Sequence, residues 1–310
     1  MSKTAFVFPG QGAQAVGMGK DVYEAFDHSR TIFAEADEAL GFELSDIIFN
    51  GPDDMLKQTA NTQPALLTVS VALLEALKDS GLKPDYVAGH SLGEYSALVA
   101  AGVLSFADAV RTVRARGQFM EQAVPDGLGA MAAVLGAERD VLAGLCASIT
   151  AEGHAVELAN VNCPGQIVVS GTAEGVQAVV ERGKEAAGAK RVIPLDVSGP
   201  FHSSLMKPAA ERLGGVLESL SMADASVPVV ANVTANAVTE ASAIRELLVE
   251  QVYSPVLWED SVRYLIEQGV DTFVEIGSGT VLAGLIKKID KNVRVISINS
   301  LAALESLQVN

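Results

Sequence analysis

The segment Gly89-His90-Ser91-Leu92-Gly93 fits the pattern G-x-S-x-G. In a nucleophile elbow such a serine sits on a strained strand-to-helix turn, and the glycines leave room for it and for close packing of strand on helix. The flanks supply that context. Pro84 opens a strand that Gly89 closes, and LGEYSALVAAGVL follows as a helix rich in Ala and Leu. Ser91 Oγ would then lie at the start of a helix, where free N–H groups and the helix dipole favour negative charge. The N–H of Leu92 would face an oxyanion there. The competing reading is a chance match in a glycine-rich loop.

A serine nucleophile needs a base, and the chain has four histidines. His28, in a polar helical stretch, and His154, in the loop AEGHAV, read as solvated. His90 adjoins the serine, where the backbone points neighbouring side chains apart, so it reads as packing or hydrogen bonding beside the elbow. His202, in VSGPFHSSLM, follows a Gly-Pro break and precedes a helix, a loop position of the kind that carries catalytic groups. It also comes after Ser91 in the chain, and it is the candidate base. A third group must orient the imidazole. Asp108, Asp126, Asp140 and Asp196 lie between serine and histidine, none in a distinctive motif; a backbone carbonyl could serve instead.

Arg116 falls on the shoulder of the apolar face of a helix over 105–123. Its guanidinium either snorkels to solvent or grips an anion, and a two-point grip on a free carboxylate beside an acylated serine would select dicarboxylic acyl groups. Two glycine loops compete for attention. Gly10-Gln11-Gly12-Ala13-Gln14-Ala15 follows a strand and matches G-x-G-x-x-A, the pattern of a dinucleotide turn. The acidic ribose ligand that should end a second strand is lacking, because SRTIFAEADEAL reads as helix. VEIGSGTVLAGL lacks the third small residue. Both read as loops of close backbone approach, the first able to offer the N–H of Gln11 to an oxyanion.

Which elements would position these groups? TAFVFPG is a short buried strand, and 20–40 and 64–79 are helices by their three- and four-residue apolar spacing. Ser105 N-caps the next helix, with Asp108 three residues on. After the breaker PDGLG the order becomes β-α-β-β-α-β across 129–197, the split βαβ pattern. Then come a helix over 203–220, a strand over 227–232, helices over 241–252 and 258–268, a strand over 271–276, a helix over 279–289 and a strand over 293–297. The fold class expected is α/β: a core from 1–128 and 198–310, interrupted by the smaller unit 129–197.

Bulk composition narrows the function classes. At 310 residues, with 49% hydrophobic and 19% charged, the chain reads as globular. A formal charge of −16 makes phosphate polymers and anionic membrane surfaces poor partners. Cys146 and Cys163 stand in no metal or disulfide pattern, so a reducing compartment and no metal are expected. No apolar stretch approaches a membrane span, and the N-terminus lacks a signal-peptide pattern. The expectation is a cytoplasmic monomer.

Several motifs together carry a resemblance: FVFPGQGAQ, TQPALL, GHSLGEYSAL, Arg116 in RARGQFM, NVNCPGQIVVSG, FHSSLMKPA and VEIGSGTVL, in order over almost the whole chain. The ordered set resembles the malonyl-CoA:acyl carrier protein transacylases of type II fatty acid synthesis and is similar to the acyltransferase domains of polyketide synthases. The resemblance implies an α/β-hydrolase-like core with an inserted ferredoxin-like subdomain. It implies Ser91 as nucleophile, His202 as base, Arg116 on the malonyl carboxylate, and the N–H groups of Gln11 and Leu92 as oxyanion hole. The carbonyl of Gln251, in VEQVYSP, would orient the histidine. Phe201 resembles the Phe-His pair of malonyl-selective domains. The implied partners are malonyl-CoA and acyl carrier protein, with no cofactor beyond the coenzyme A thioester. Lys184, Lys190, Arg191, Lys287 and Lys288 could give the acidic carrier a basic patch. The rivals are a serine esterase or thioesterase, which needs a triad acid; a nucleotide-binding oxidoreductase on the Gln11 loop; and a non-catalytic carrier-protein scaffold.

Overall fold

The computed structural model describes residues 2–308. In chain order its strands are β1 Lys3–Phe8, β2 Tyr86–Gly89, β3 Gly129–Leu135, β4 Val156–Cys163, β5 Gln166–Thr172, β6 Arg191–Pro194, β7 Val229–Val230, β8 Ala237–Val238, β9 Val270–Ile276 and β10 Arg294–Ile298. They form two sheets. The larger runs β10-β9-β1-β2-β7-β8, parallel up to β7, with β8 antiparallel at the edge. The smaller runs β4-β5-β3-β6 and is antiparallel throughout.

A parallel sheet is buried on both faces, so its strands are apolar without alternation. In β1, Phe6 and Phe8 pack into the core on one face, while Ala5 and Val7 pack with Trp258, Val262 and Ile286 on the other. The helix Thr59–Leu77 lies inside the first core, with every residue but Glu75 buried. Apolar spacing predicts this helix over 64–79. The helix starts five residues earlier because the carbonyl that Pro64 cannot bond, that of Ala60, accepts Arg114 Nη1 at 2.8 Å instead.

Other boundaries differ for identifiable reasons. Residues 20–40 form two helices, Lys20–Ala25 and Asp27–Leu40, because Phe26 is extended (φ −126°) and stacks on His28. His28 is therefore half-buried rather than solvated. The helix expected over 203–220 is a short 3₁₀ turn, Ser204–Met206, followed by Lys207–Glu218, with Pro208 in its first turn. The strand expected over 227–232 keeps only two ladder residues: Pro228 has no N–H, and Asn232 leaves the sheet for the serine turn. The helices Leu44–Asn50, Asp53–Lys57 and Leu301–Gln308 and the strand β8 were not foreseen.

The smaller sheet has its own apolar core, with the helices Arg139–Ala151 and Ala173–Ala187. It is stitched to the larger unit: Val161 N–H donates to Val256 O at 2.9 Å, and Val256 N–H to Ala159 O at 2.8 Å. The outgoing and returning chain also touch, for a Cβ on Gly129 would lie 2.4 Å from Pro200 Cδ.

Candidate active site

At the end of β2 the chain turns within three residues into the helix Gly93–Ala100. Ser91 occupies the left-handed region, with φ 51°. Both glycines of the pattern are required by space. A Cβ at Gly89 would lie 1.9 Å from the Gly93 backbone, and one at Gly93 would lie 2.1 Å from Phe8 O. Such approaches exclude any side chain, so chance composition does not account for the pattern. Asn232 fastens the turn: its Oδ1 accepts the Ser91 N–H at 2.8 Å, and its Nδ2 donates to Gly89 O at 2.7 Å.

Ser91 Oγ lies 2.7 Å from His202 Nε2. His202 Nδ1 lies 2.8 Å from the main-chain oxygen of Gln251. A carbonyl only accepts, so Nδ1 carries the proton and Nε2 is left to accept from the serine. Burial first, then the nearby Arg116 charge, pushes the imidazole down to about 3, so it is neutral at pH 7. His202 also has a positive φ, 55°, and the hydroxyl of Ser203 donates to Pro200 O, closing the loop that holds it. None of the four aspartates weighed as orienters bonds to His202; Asp196 is exposed, and Asp108 faces Arg111 at 3.6 Å.

Arg116 does not snorkel; it is 1% exposed. Its Nη1 donates to Gln63 Oε1 at 2.7 Å, and its Nη2 to Gln251 Oε1 at 2.9 Å and to Ser91 Oγ at 3.2 Å. Its Nε has no partner, and among the described residues no carboxylate oxygen comes within 4.0 Å of it. A buried guanidinium held by neutral acceptors retains attraction for an anion.

The N–H groups of Leu92 and Gln11 donate to no protein acceptor among the described residues. The Gln11 side chain reaches Thr59 Oγ1 at 3.2 Å, which in turn meets Ser198 Oγ at 3.0 Å. Ser91, His202, Arg116, Leu92 and Gln11 line one cavity of about 180 Å³. One wall holds Gln11, Ser91, Leu92, Arg116, Phe201 and His202; the other, from the smaller sheet and its return, holds Met131, Asn160, Asn162, Val168, Leu195 and Val197.

The remaining candidates fall where their surroundings dictate. His90 Nε2 pairs with Asn162 Oδ1 at 2.8 Å and its ring packs on Trp258, so it braces the turn against the smaller sheet. His154 is exposed. Gly10 is pressed against His90 O, which a Cβ would approach to 2.3 Å. No helix opens before Lys20, so the Gln11 loop lacks the helix terminus a pyrophosphate would need. In the second loop the Glu275 carboxylate already accepts the N–H groups of Leu282 and Ala283, filling the start of that helix. Among the described residues no cluster of three or more His, Cys, Asp or Glu could hold a metal ion, and no helix is long and apolar enough to cross a membrane.

Three site residues escaped the sequence reading as individuals: Asn232, Glu94 and Gln63. Glu94 is 2% exposed, and its Oε2 accepts Asn232 N–H at 3.1 Å and Gln251 Nε2 at 3.0 Å. An acid three residues past the serine, in an otherwise apolar helix, was the available signal. Gln63 lies within TQPALL, which carries the resemblance without marking that residue, and Asn232, in VVANV, stands in no motif.

Known proteins resemble the chain over nearly its whole length. The model of the acyl transferase domain family matches residues 5–304. The chain is 56% identical over 305 residues to a malonyl CoA-acyl carrier protein transacylase of Bacillus subtilis (strain 168), covering 98% of this chain and 96% of that protein. It is 51% identical over 310 residues to the protein of the same name from Staphylococcus aureus (strain MRSA252), covering 100% of each. Among solved structures, an acyl-carrier-protein-S-malonyltransferase from Bartonella henselae superimposes with TM-score 0.96 at 44% identity, over 100% of this chain and 99% of that one. A type II PKS acyl-carrier protein in complex with its malonyl-transacylase gives TM-score 0.96 at 44% identity over 100% of both chains.

Proposed function

The chain belongs to the acyl transferase domain family, and on that premise we propose that it moves a malonyl group from malonyl-CoA to the phosphopantetheine thiol of an acyl carrier protein through a malonyl–Ser91 intermediate. One observation carries the reading: Ser91 Oγ lies 2.7 Å from His202 Nε2 and 3.2 Å from Arg116 Nη2. The same hydroxyl is thus within reach of a base and of a buried cation that fits the free carboxylate of a malonyl group.

The reaction runs in two halves. His202 Nε2 takes the Ser91 proton as Oγ attacks the thioester carbon, and the imidazolium formed is steadied by the Gln251 carbonyl. The N–H groups of Leu92 and Gln11 hold the oxyanion; losing one such donor costs about 10²–10³ in rate. The C–S bond breaks, and coenzyme A leaves as the thiol with the proton from His202. The carrier thiol then repeats these steps on the Ser91 ester, which is ping-pong kinetics. The thioester supplies the leaving group, so this chemistry draws on no cofactor. The ester must outlast contact with water, which the apolar side chains of the cavity, Met131, Val168, Val197 and Phe201 among them, favour. Residues 129–197 act as a subdomain that roofs the serine, a role supported by the cavity wall they supply. We infer a monomer working in the cytoplasm, where thioester substrates and carrier would meet it; that no helix among the described residues is long and apolar enough to cross a membrane supports this reading.

Intact-protein mass spectrometry after mixing with malonyl-CoA tests this. An adduct of one malonyl group, mapped to the Ser91 peptide and discharged by holo acyl carrier protein, is the expected result. Free malonate with no adduct, or an adduct on another residue, would overturn the proposal.

A further inference from the structure

We propose that Glu94 is a specificity-determining residue, which gives up its negative charge by taking a proton when a carboxylated acyl group is seated against Arg116. The inference rests on the malonyl-transfer reading and says how the site accommodates the extra charge.

Its basis is a count of charges in a buried network: Glu94 is 2% exposed, Arg116 1% and Gln251 0%. Glu94 Oε2 accepts Gln251 Nε2 at 3.0 Å, and Gln251 Oε1 accepts Arg116 Nη2 at 2.9 Å. One side-chain amide therefore separates carboxylate from guanidinium. The groups packed around Glu94 are few. The helix Phe106–Gln122 presents Arg116; its own helix presents Tyr95, whose ring lies 5.6 Å from the Arg116 guanidinium carbon; the His202 loop presents an imidazole held neutral. The remaining partners, Asn232 and Gln251, are neutral amides. Among the described residues Glu94 is thus the single carboxylate acting on this buried cation, and together they balance.

A malonyl group brings a second carboxylate to the one guanidinium. Two buried acids against one base is the arrangement in which one acid is driven to bind a proton. Glu94 is the one that yields. Burial already pushes it up to about 7, against the opposing pull of its hydrogen bonds and of Arg116, whereas the incoming carboxylate would bond to the guanidinium itself. An acetyl group carries no charge and would leave Glu94 as it is. Losing the Glu94 charge also frees the field of Arg116 for the substrate, which favours carboxylated acyl groups.

Acylation itself moves no net proton: the C–S bond breaks, the C–O bond to Ser91 forms, and the serine proton leaves on the coenzyme A thiol. Any uptake of protons on loading therefore reports a protein group. Weakly buffered enzyme at about pH 7.5 is mixed with malonyl-CoA in stopped flow with a pH-indicator dye, and adduct formation is followed in parallel by intact mass. The expected result is uptake of up to one proton per malonyl group loaded, none with acetyl-CoA, and none in malonyl-loaded Glu94→Gln. Equal signals for malonyl and acetyl, or an undiminished signal in E94Q, would overturn the proposal. Should E94Q fail to fold or load, the malonyl–acetyl comparison on the native enzyme decides alone. Failure of the native enzyme to load malonyl is seen directly in the mass and counts against the transfer reading instead.

Discussion

Arg116 spends its hydrogen bonds on three neutral acceptors, Gln63 Oε1, Gln251 Oε1 and Ser91 Oγ. Desolvating a guanidinium without a contacting carboxylate is unfavourable, and a substrate carboxylate would offset that cost. The residue-scale prediction is Arg116→Ala assayed with two donors. Two charge-assisted hydrogen bonds are worth about 3 kcal/mol or more, which is roughly a hundredfold or more in malonyl transfer. Acetyl transfer should fall far less. Comparing both donors on one variant cancels any general loss of stability, and equal losses would remove Arg116 from carboxylate recognition. Gln251 joins the two halves of this chemistry: its carbonyl orients His202, while its amide bridges Arg116 and Glu94.

The element that matters most is the turn between β2 and the helix Gly93–Ala100. Gly93 rests on Phe8 O of β1, so strand, turn and helix are in backbone contact with the neighbouring strand. In Gly93→Ala the new methyl would lie 2.1 Å from that oxygen, and the element must shift. Overpacking of this kind costs about 1–3 kcal/mol, read as a lowered urea midpoint. Movement of Ser91 away from His202 should also reduce acylation. Unchanged stability together with unchanged acylation would show that the contact is not as close as described. A second element effect is the shortness of β7. Asn232 turns its main-chain N–H to Glu94 and its side chain to the serine turn, so ladder pairing gives way to support of the site.

At the scale of the whole molecule, buried titrating groups tie stability to pH. Glu94 and Glu275 are pushed up to about 7 from 4.5, both mainly by burial, so the folded protein holds two protons that the unfolded chain releases. Their contribution is fully present below about 4.5 and is lost as pH rises through about 7. His202 and His90 act in the opposite sense: His202 is pushed down to about 3 from 6.5 and His90 is also pushed down, both mainly by burial, so each resists a proton that the unfolded chain binds, and their contribution is lost as pH falls below 6.5. Between about 5 and 6.5 two protons held are set against two resisted, and above 6.5 only the carboxyls still act. Urea midpoints should therefore change little from about pH 5 to 6.5 and decline from about 6.5 to 7.5; a rise over the upper interval would contradict the burial of these carboxyls.

The cavity too belongs to the whole molecule, because its two walls come from different sheets. Periodicity and breakers sufficed for the parallel core and the β-α-β-β-α-β order of the smaller unit, since apolar spacing follows from which faces are covered. The G-x-S-x-G pattern pointed to the serine because backbone contact there admits no side chain. The loop position of His202 pointed to the base, but that a main-chain carbonyl rather than an aspartate orients it, and that Arg116 is buried rather than snorkelling, were decided only in three dimensions. Read from the residues alone, the orienting group stayed open, and only resemblance pointed to Gln251. These are contacts between residues 25 to 135 positions apart in the chain. A carbonyl has no residue type to betray it, and burial of a charge depends on what packs over it rather than on its neighbours in sequence.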